Sequence, residues 1–279
     1  MKIRTGRYVA VGLFWIVAVI GAEPVSAQTG AGVRVYILDS GIRATHEQFG
    51  GRVSLGPNFA DGANVDCAGH GTHVAGIVGG QTTGVAPGVT MISVRVLNCD
   101  LYGNLNGVLQ AIQWTTQHYL AHGGPAVALI GLTTSSVPWS FNAIDNAIRT
   151  STQSGLTWVT IAGNHGAWVF DYSPAREERA ITVGAVDKNN MRPAWSNFGP
   201  QVTLHSLGVD VISAHSDSDN AYALATGTSM AAPRVAGYAA RLLQMYPWAP
   251  SAHVKNLLMA QARPLMVVVP PGTPNRVLP

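Results

Sequence analysis

Short β-rich runs alternate with segments of helical period along most of this 279-residue chain, and that alternation restricts the fold more than any other feature. Residues 33–38 (VRVYIL), 91–96 (MISVRV), 127–130 (VALI) and 156–161 (LTWVTI) read as buried strands. Between them, 106–119 sets Val108, Leu109, Ile112 and Tyr119 near one helical face, and 141–148 does the same for Phe141, Ile144, Ala147 and Ile148. Residues 181–185 and 209–212 read as later strands, and 229–245 and 251–262 as helices parted by Pro247 and Pro250. Strand and helix in repetition imply an α/β fold in three layers, a mainly parallel central β-sheet flanked by helices. A hydrophobic share of 47% against 11% charged residues fills such a core within one domain. No internal repeat or low-complexity linker marks a second domain, and the Pro-rich tail, 264–279, is expected to wrap the surface.

The first residues stand apart. Lys2, Arg4 and Arg7 precede an apolar run over 8–22, and Val25-Ser26-Ala27 offers small residues for cleavage, so 1–27 reads as a secretory signal peptide and 28–279 as the mature domain. The apolar run falls short of the roughly 20 residues that a membrane span needs. The expectation is therefore export, extracellular or periplasmic, without stable membrane insertion. Three basic residues and one acidic residue lie in 1–27, so the net charge drops from +3 to +1 once the leader is set aside. That leaves no polybasic signal for a nucleic-acid partner. In an oxidising compartment Cys67 and Cys99 are a disulfide candidate before they are metal ligands.

Chemistry concentrates at three places. In open α/β sheets reacting groups collect at the carboxyl ends of strands and the amino ends of the helices that follow. Asp39-Ser40-Gly41 follows the first strand, Gly69-His70-Gly71-Thr72-His73 opens a small-residue helix, and Gly227-Thr228-Ser229-Met230-Ala231 opens another. Asp39, His70 and Ser229 are the three residue types that nucleophilic catalysis combines: a hydroxyl, a base to take its proton, and a carboxylate to fix the tautomer of that base. Taken alone, Asp39 has a plainer reading as a turn residue and Ser229 as a helix cap, and so does Asn164, in the segment after the fourth strand, as a left-handed turn residue beside Gly163 and Gly166. The stretch DCAGHGTHVAG also spaces Cys67, His70 and His73 as a zinc site would, which makes a zinc hydrolase a rival reading.

Further segments add weight to the first of these. Residues 30–42, 69–76, 84–88 with 94–97, 162–164, 172–175 with 180–185, 227–233 and Pro274-Asn275 together resemble, in order and spacing, the subtilases, serine peptidases of the subtilisin type. The resemblance covers nearly everything after the leader, and is to the proteinase K-like subgroup resembling aqualysin. It implies a subtilisin-like three-layer fold and a monomer acting on proteins or peptides through an acyl-enzyme intermediate, with no cofactor for catalysis. Asp39 would orient the imidazole, His70 act as base and then acid, and Ser229 attack. Asn164 and the Ser229 N–H would form the oxyanion hole. Substrate backbone would pair with Leu101-Tyr102-Gly103 and Gly131-Leu132-Thr133, where the family usually has Gly-Ser-Gly and Ser-Leu-Gly. Thr133 would narrow the first specificity pocket.

The same resemblance marks departures. Cys67 and Cys99 match positions bridged in the subgroup, whereas a second bridge has neither partner here and Gln201 stands at one of its positions. A calcium site of proteinase K-like members uses a carboxylate at the position of Thr203, with backbone carbonyls near Glu178 and Ala180, so that site is expected to be weakened or absent. Structural calcium elsewhere is left open. The leader runs almost directly into Gly30-Ala31-Gly32, so the chain reads as truncated at its mature N-terminus and without a propeptide. A catalytically impaired, peptide-binding version of the fold is therefore the main alternative to an active peptidase. His118, His122, His165, His205, His215 and His253, Trp168 and segment 195–198 are read as surface or packing residues.

Overall fold

The computed structural model describes residues 27–135, 142–264 and 269–279. The expected leader, apart from Ala27, and Phe141 lie outside the described residues. The central sheet has seven strands: β1 (Arg34–Asp39), β2 (Val53–Asn58), β3 (Thr90–Arg95), β4 (Ala126–Ile130), β6 (Thr157–Ile161), β8 (Ile181–Val186) and β9 (Leu204–Leu207). Their order is β2-β3-β1-β4-β6-β8-β9, and every neighbouring pair runs parallel. Two small antiparallel pairs lie outside it: β5 (Thr134–Ser135) with β7 (Tyr172–Ser173), and β10 (Val211–Ala214) with β11 (Tyr222–Ala225). The α-helices among the described residues are α1 (His70–Gly79), α2 (Leu105–His122), α3 (Asn142–Gln153), α4 (Thr228–Met245) and α5 (Ser251–Gln261).

The period of two along each strand builds two cores. Val35, Ile37, Val127, Leu129, Val159 and Ile161 meet the apolar faces of α1, α4 and α5. Tyr36, Leu38, Ala128, Ile130 and Trp158 point the other way, onto Val108, Ala111 and Ile112 of α2 and Ile144 and Ile148 of α3. Both sheet faces are thus covered, giving the three-layer α/β arrangement expected from the sequence. On the first face α4 packs closely because its contact residues are small, and a Cβ on Gly237 would stand 2.7 Å from that of Val85.

Three expectations change. The run read at 209–212 forms β10, in a hairpin outside the main sheet rather than within it. The sheet edges are β2 and β9, neither anticipated. Gly56-Pro57 in β2 reads as a turn, yet an edge strand tolerates a residue without N–H on its open side. The tail does not simply wrap the surface: Val277 bridges both His205 and Arg263, and Val277 and Leu278 are buried.

Candidate active site

Strand order places β1 third in the sheet, with β3 to one side and β4 to the other. Where the connections change side, the carboxyl ends of the strands open a crevice. Asp39 is the last residue of β1 and is 1% exposed. Its Oδ1 accepts from His70 Nδ1 at 2.7 Å and from the Ser40 N–H at 2.7 Å. A carboxylate offers only lone pairs, so Nδ1 carries the proton and Nε2 is left as the basic nitrogen. Burial disfavours the imidazolium, but the charge and hydrogen bond of Asp39 and the charge of Asp66 outweigh it, and the His70 pKa lies above the ordinary 6.5.

His70 is the first residue of α1, and the start of that helix is fixed by a residue ahead of it. Gly69, in left-handed backbone at φ 77°, offers no side chain to cap the helix. Asp66 does so instead. Its Oδ1 accepts from Gly69 N (2.9 Å), Ala68 N (3.2 Å) and Ser40 Oγ (2.8 Å), and its Oδ2 from Thr72 N (2.8 Å) and Thr72 Oγ1 (2.6 Å). Ser40 Oγ in turn accepts from Gly71 N at 2.9 Å, tying the turn after β1 to the helix that carries the base. Buried Arg95 adds a donor from Nε to Ser40 O at 3.0 Å. An acidic residue just before a helix start is a readable signal, although sequence analysis attached no role to Asp66.

The apparent zinc cluster comes apart into separate tasks. Cys67 is bonded to Cys99, with Cα atoms 5.1 Å apart, so its sulfur is no thiolate ligand. His70 is held by Asp39. His73 is buried, its Nε2 donating to the carbonyls of Val211 (3.1 Å) and Ala223 (3.0 Å), and burial lowers its pKa. It pins the β10–β11 hairpin to α1. The zinc reading is withdrawn on these bonds.

Ser229 is the second residue of α4, which follows Gly227. Pro233 lies in the same first turns, and its missing N–H would have bonded the Ser229 carbonyl. Asn164 reaches this helix start from the loop after β6: its Oδ1 accepts from Thr228 N at 2.9 Å and Thr228 Oγ1 at 2.8 Å. A backbone N–H can only donate, so these bonds fix the amide orientation and free Nδ2 as a donor beside Gly227. The loop carrying Asn164 is clamped by Asn197, whose Oδ1 accepts from His165 N (2.9 Å) and Ala167 N (3.0 Å) and whose Nδ2 donates to Ala162 O (2.9 Å). Asn197 was read as packing. It is fully buried and entirely engaged in holding this loop.

His70, Ser229, Asn164, Gly131 and Thr133 line one cavity of about 400 Å³. The hydrogen bond that His70 makes is to Asp39, and no His70–Ser229 hydrogen bond is formed among the described residues. Leu97, Leu101, Leu132 and Thr133 continue into a second cavity, bordered by Tyr102, Gly103 and Ile144. The two expected substrate segments thus border two adjoining cavities that share these residues. Leu101 adopts φ 62°, held by a turn in which Asn98 Oδ1 accepts from Asp100 N and Tyr102 N.

Comparison with known proteins agrees with this arrangement. The subtilase family matches residues 30–277. The chain is 41% identical over 241 residues to the extracellular serine proteinase of Thermus sp. (strain Rt41A), covering 86% of this chain and 57% of that protein. It is 37% identical over 251 residues to alkaline serine exoprotease A of Vibrio alginolyticus, covering 89% of this chain and 45% of that protein. A crystal structure of a cold-adapted subtilisin-like serine proteinase matches with TM-score 0.84 at 37% identity, over 90% of each chain. The chain spans about half the length of the curated relatives it matches.

Proposed function

The chain belongs to the subtilase family, and from the cleft that its fold assembles we propose that it is an exported serine endopeptidase. The observation that carries this reading is the buried Asp39–His70 hydrogen bond, at 2.7 Å, on the wall of a cavity that also holds Ser229 and Asn164. In the proposed reaction His70 Nε2 takes the Ser229 hydroxyl proton as Oγ bonds to the substrate carbonyl carbon. The oxyanion is met by Asn164 Nδ2 and the Ser229 N–H at the start of α4, where the helix dipole favours negative charge. His70 then gives the proton to the leaving amine as the C–N bond breaks. Water repeats the sequence to release the acyl group. No cofactor enters these steps. An unliganded site commonly holds its catalytic groups further apart than the reacting complex does, which accommodates the unbonded Ser229.

Substrates are extended protein or peptide segments, their backbone pairing with Leu101-Tyr102-Gly103 and Gly131-Leu132-Thr133 and their side chains entering the cleft. Thr133 at the cavity wall restricts the pocket nearest Ser229. Export to an extracellular or periplasmic space is supported by the basic and apolar leader, by the disulfide and by the extracellular relative. The protein acts as a monomer. No helix among the described residues is long and apolar enough to cross a membrane.

Fluorophosphonate labelling of the purified protein tests the assignment. The parent takes up label, Ser229→Ala takes up none, and chelator leaves labelling unchanged. The absence of a His70–Ser229 hydrogen bond favours one other reading, a peptide-binding protein without turnover. A folded parent that binds peptides yet resists the probe would establish that reading instead.

A further inference from the structure

The cation seat that the family resemblance implies near Glu178, Ala180 and Thr203 is filled by this chain itself. Lys255, half-buried on α5, directs its ammonium at the Glu178 carbonyl at 2.7 Å and the Ala180 carbonyl at 2.9 Å. Thr203 contributes a neutral hydroxyl, and that hydroxyl already accepts from Thr182 N at 3.1 Å. Gln201, which lines the same cavity, adds only a neutral amide oxygen. The Glu177 carboxylate, though close, is committed to Arg149 and to the Arg179 N–H. Calcium needs several oxygen ligands and binds best where some are charged. Here it would meet neutral oxygens, a single solvent-exposed carboxylate from Glu178, and the positive charge of Lys255, which already takes both carbonyls. Among the described residues no group of three or more acidic, His or Cys side chains is placed to hold a metal. The donor set does not fit calcium.

We infer that Lys255 is a tethered cation that replaces a bound metal at this seat, joining α5 to the segment that leads into β8 and freeing that junction from calcium. Two carbonyl dipoles aimed at one point favour a positive charge, and an ammonium on a chain anchored in α5 meets that need at no loss of a free ion from solution. Burial pulls the Lys255 pKa below the ordinary lysine value, while the Glu178 and Glu177 carboxylates pull it back up. The four-carbon stem lets the head reach the carbonyls while the helix stays in its place on the sheet. This inference concerns stability and does not depend on the catalytic reading.

The test compares thermal midpoints, each in chelator and in millimolar calcium, for the parent, Lys255→Met, and Lys255→Met combined with Thr203→Asp. Losing two charge-assisted hydrogen bonds should lower the Lys255→Met midpoint by about 3–8 °C, equally in both media. Adding the carboxylate at 203 should return most of that loss in calcium and none of it in chelator. A Lys255→Met protein melting with the parent would overturn the proposal. So would a double variant whose midpoint responds to calcium no more than the parent's does.

Discussion

Asp39 meets His70 with one oxygen and leaves the other, Oδ2, buried and without a hydrogen-bond partner. Gly131 lies against that oxygen so closely that a Cβ there would overlap it. Sequence reading placed Gly131 on a substrate-pairing segment, and its contact with Asp39 was not legible because it depends on the register of β4 beside β1. Gly131→Ala must push the carboxylate aside, and since small displacements of catalytic groups cost on the order of 10²-fold in rate, turnover should fall by about that factor with the fold intact by circular dichroism. The protonation of His70 gives a second prediction. Its pKa is raised above 6.5, so the neutral base appears only as pH rises through that higher value, and peptide hydrolysis should show an acid limb above pH 6.5. Asp39→Asn removes the charge that raises the pKa, so the limb moves to lower pH, while turnover should drop by about 10⁴-fold, the loss this change causes in a Ser-His-Asp triad where it has been made. An acid limb unmoved by Asp39→Asn would mean that another group sets it. The residues of the candidate site that carried a motif were readable; Asp66 and Thr228 were given no role and Asn197 only a packing one, because each acts on its neighbours through bonds that the folded loops bring together.

At the scale of elements, what was legible was the pattern of burial. β1, β3, β4, β6 and β8 are buried on both faces, and their apolar runs stood out without any knowledge of partners. The edges β2 and β9 contain Gly-Pro and His-Ser, so their strand character comes from the neighbour that pairs with them and not from their own residues. The same distinction holds for α1. Its apolar length was visible, but its start is set by Asp66 and by the neighbouring Cys67–Cys99 bond, which closes a loop 32 residues apart in sequence. Cross-linking a loop of that size stabilises by about 3–4 kcal/mol in the chain-entropy model. Cys67→Ser with Cys99→Ser should therefore lower the urea unfolding free energy by about that amount. An unchanged midpoint would show that the segment between the cysteines is already confined by other contacts such as Arg95 to Ser40.

Across the whole molecule, the chain's last residues close the open side of β9. His205 N donates to Arg276 O, Leu278 N donates to His205 O, and Ser206 Oγ donates to Leu278 O, so the edge that would otherwise expose a row of backbone groups is paired. His205 lies beneath this strap, fully buried, its Nδ1 facing the Arg276 carbonyl at 3.3 Å and its Nε2 without a partner. Burial is the main cause that lowers its pKa to about 4; the Arg276 carbonyl opposes this and the Arg192 charge adds to it. The unfolded chain, with an ordinary histidine pKa near 6.5, binds a proton that the folded protein refuses between pH 6.5 and 4. Stability must therefore fall as pH is lowered through that window, by up to about 3 kcal/mol from this one side chain. His205→Asn keeps a donor for the Arg276 carbonyl and cannot titrate. Its urea midpoint should start lower at neutral pH, since some packing is lost, and then decline less steeply from pH 6.5 to 4 than the parent's. Equal slopes would mean that His205 is protonated in place and that the strap loosens to admit water before the sheet unfolds. The steeper parental slope would instead identify the docking of the C-terminal strap over a neutral imidazole as the acid-sensitive joint of the fold.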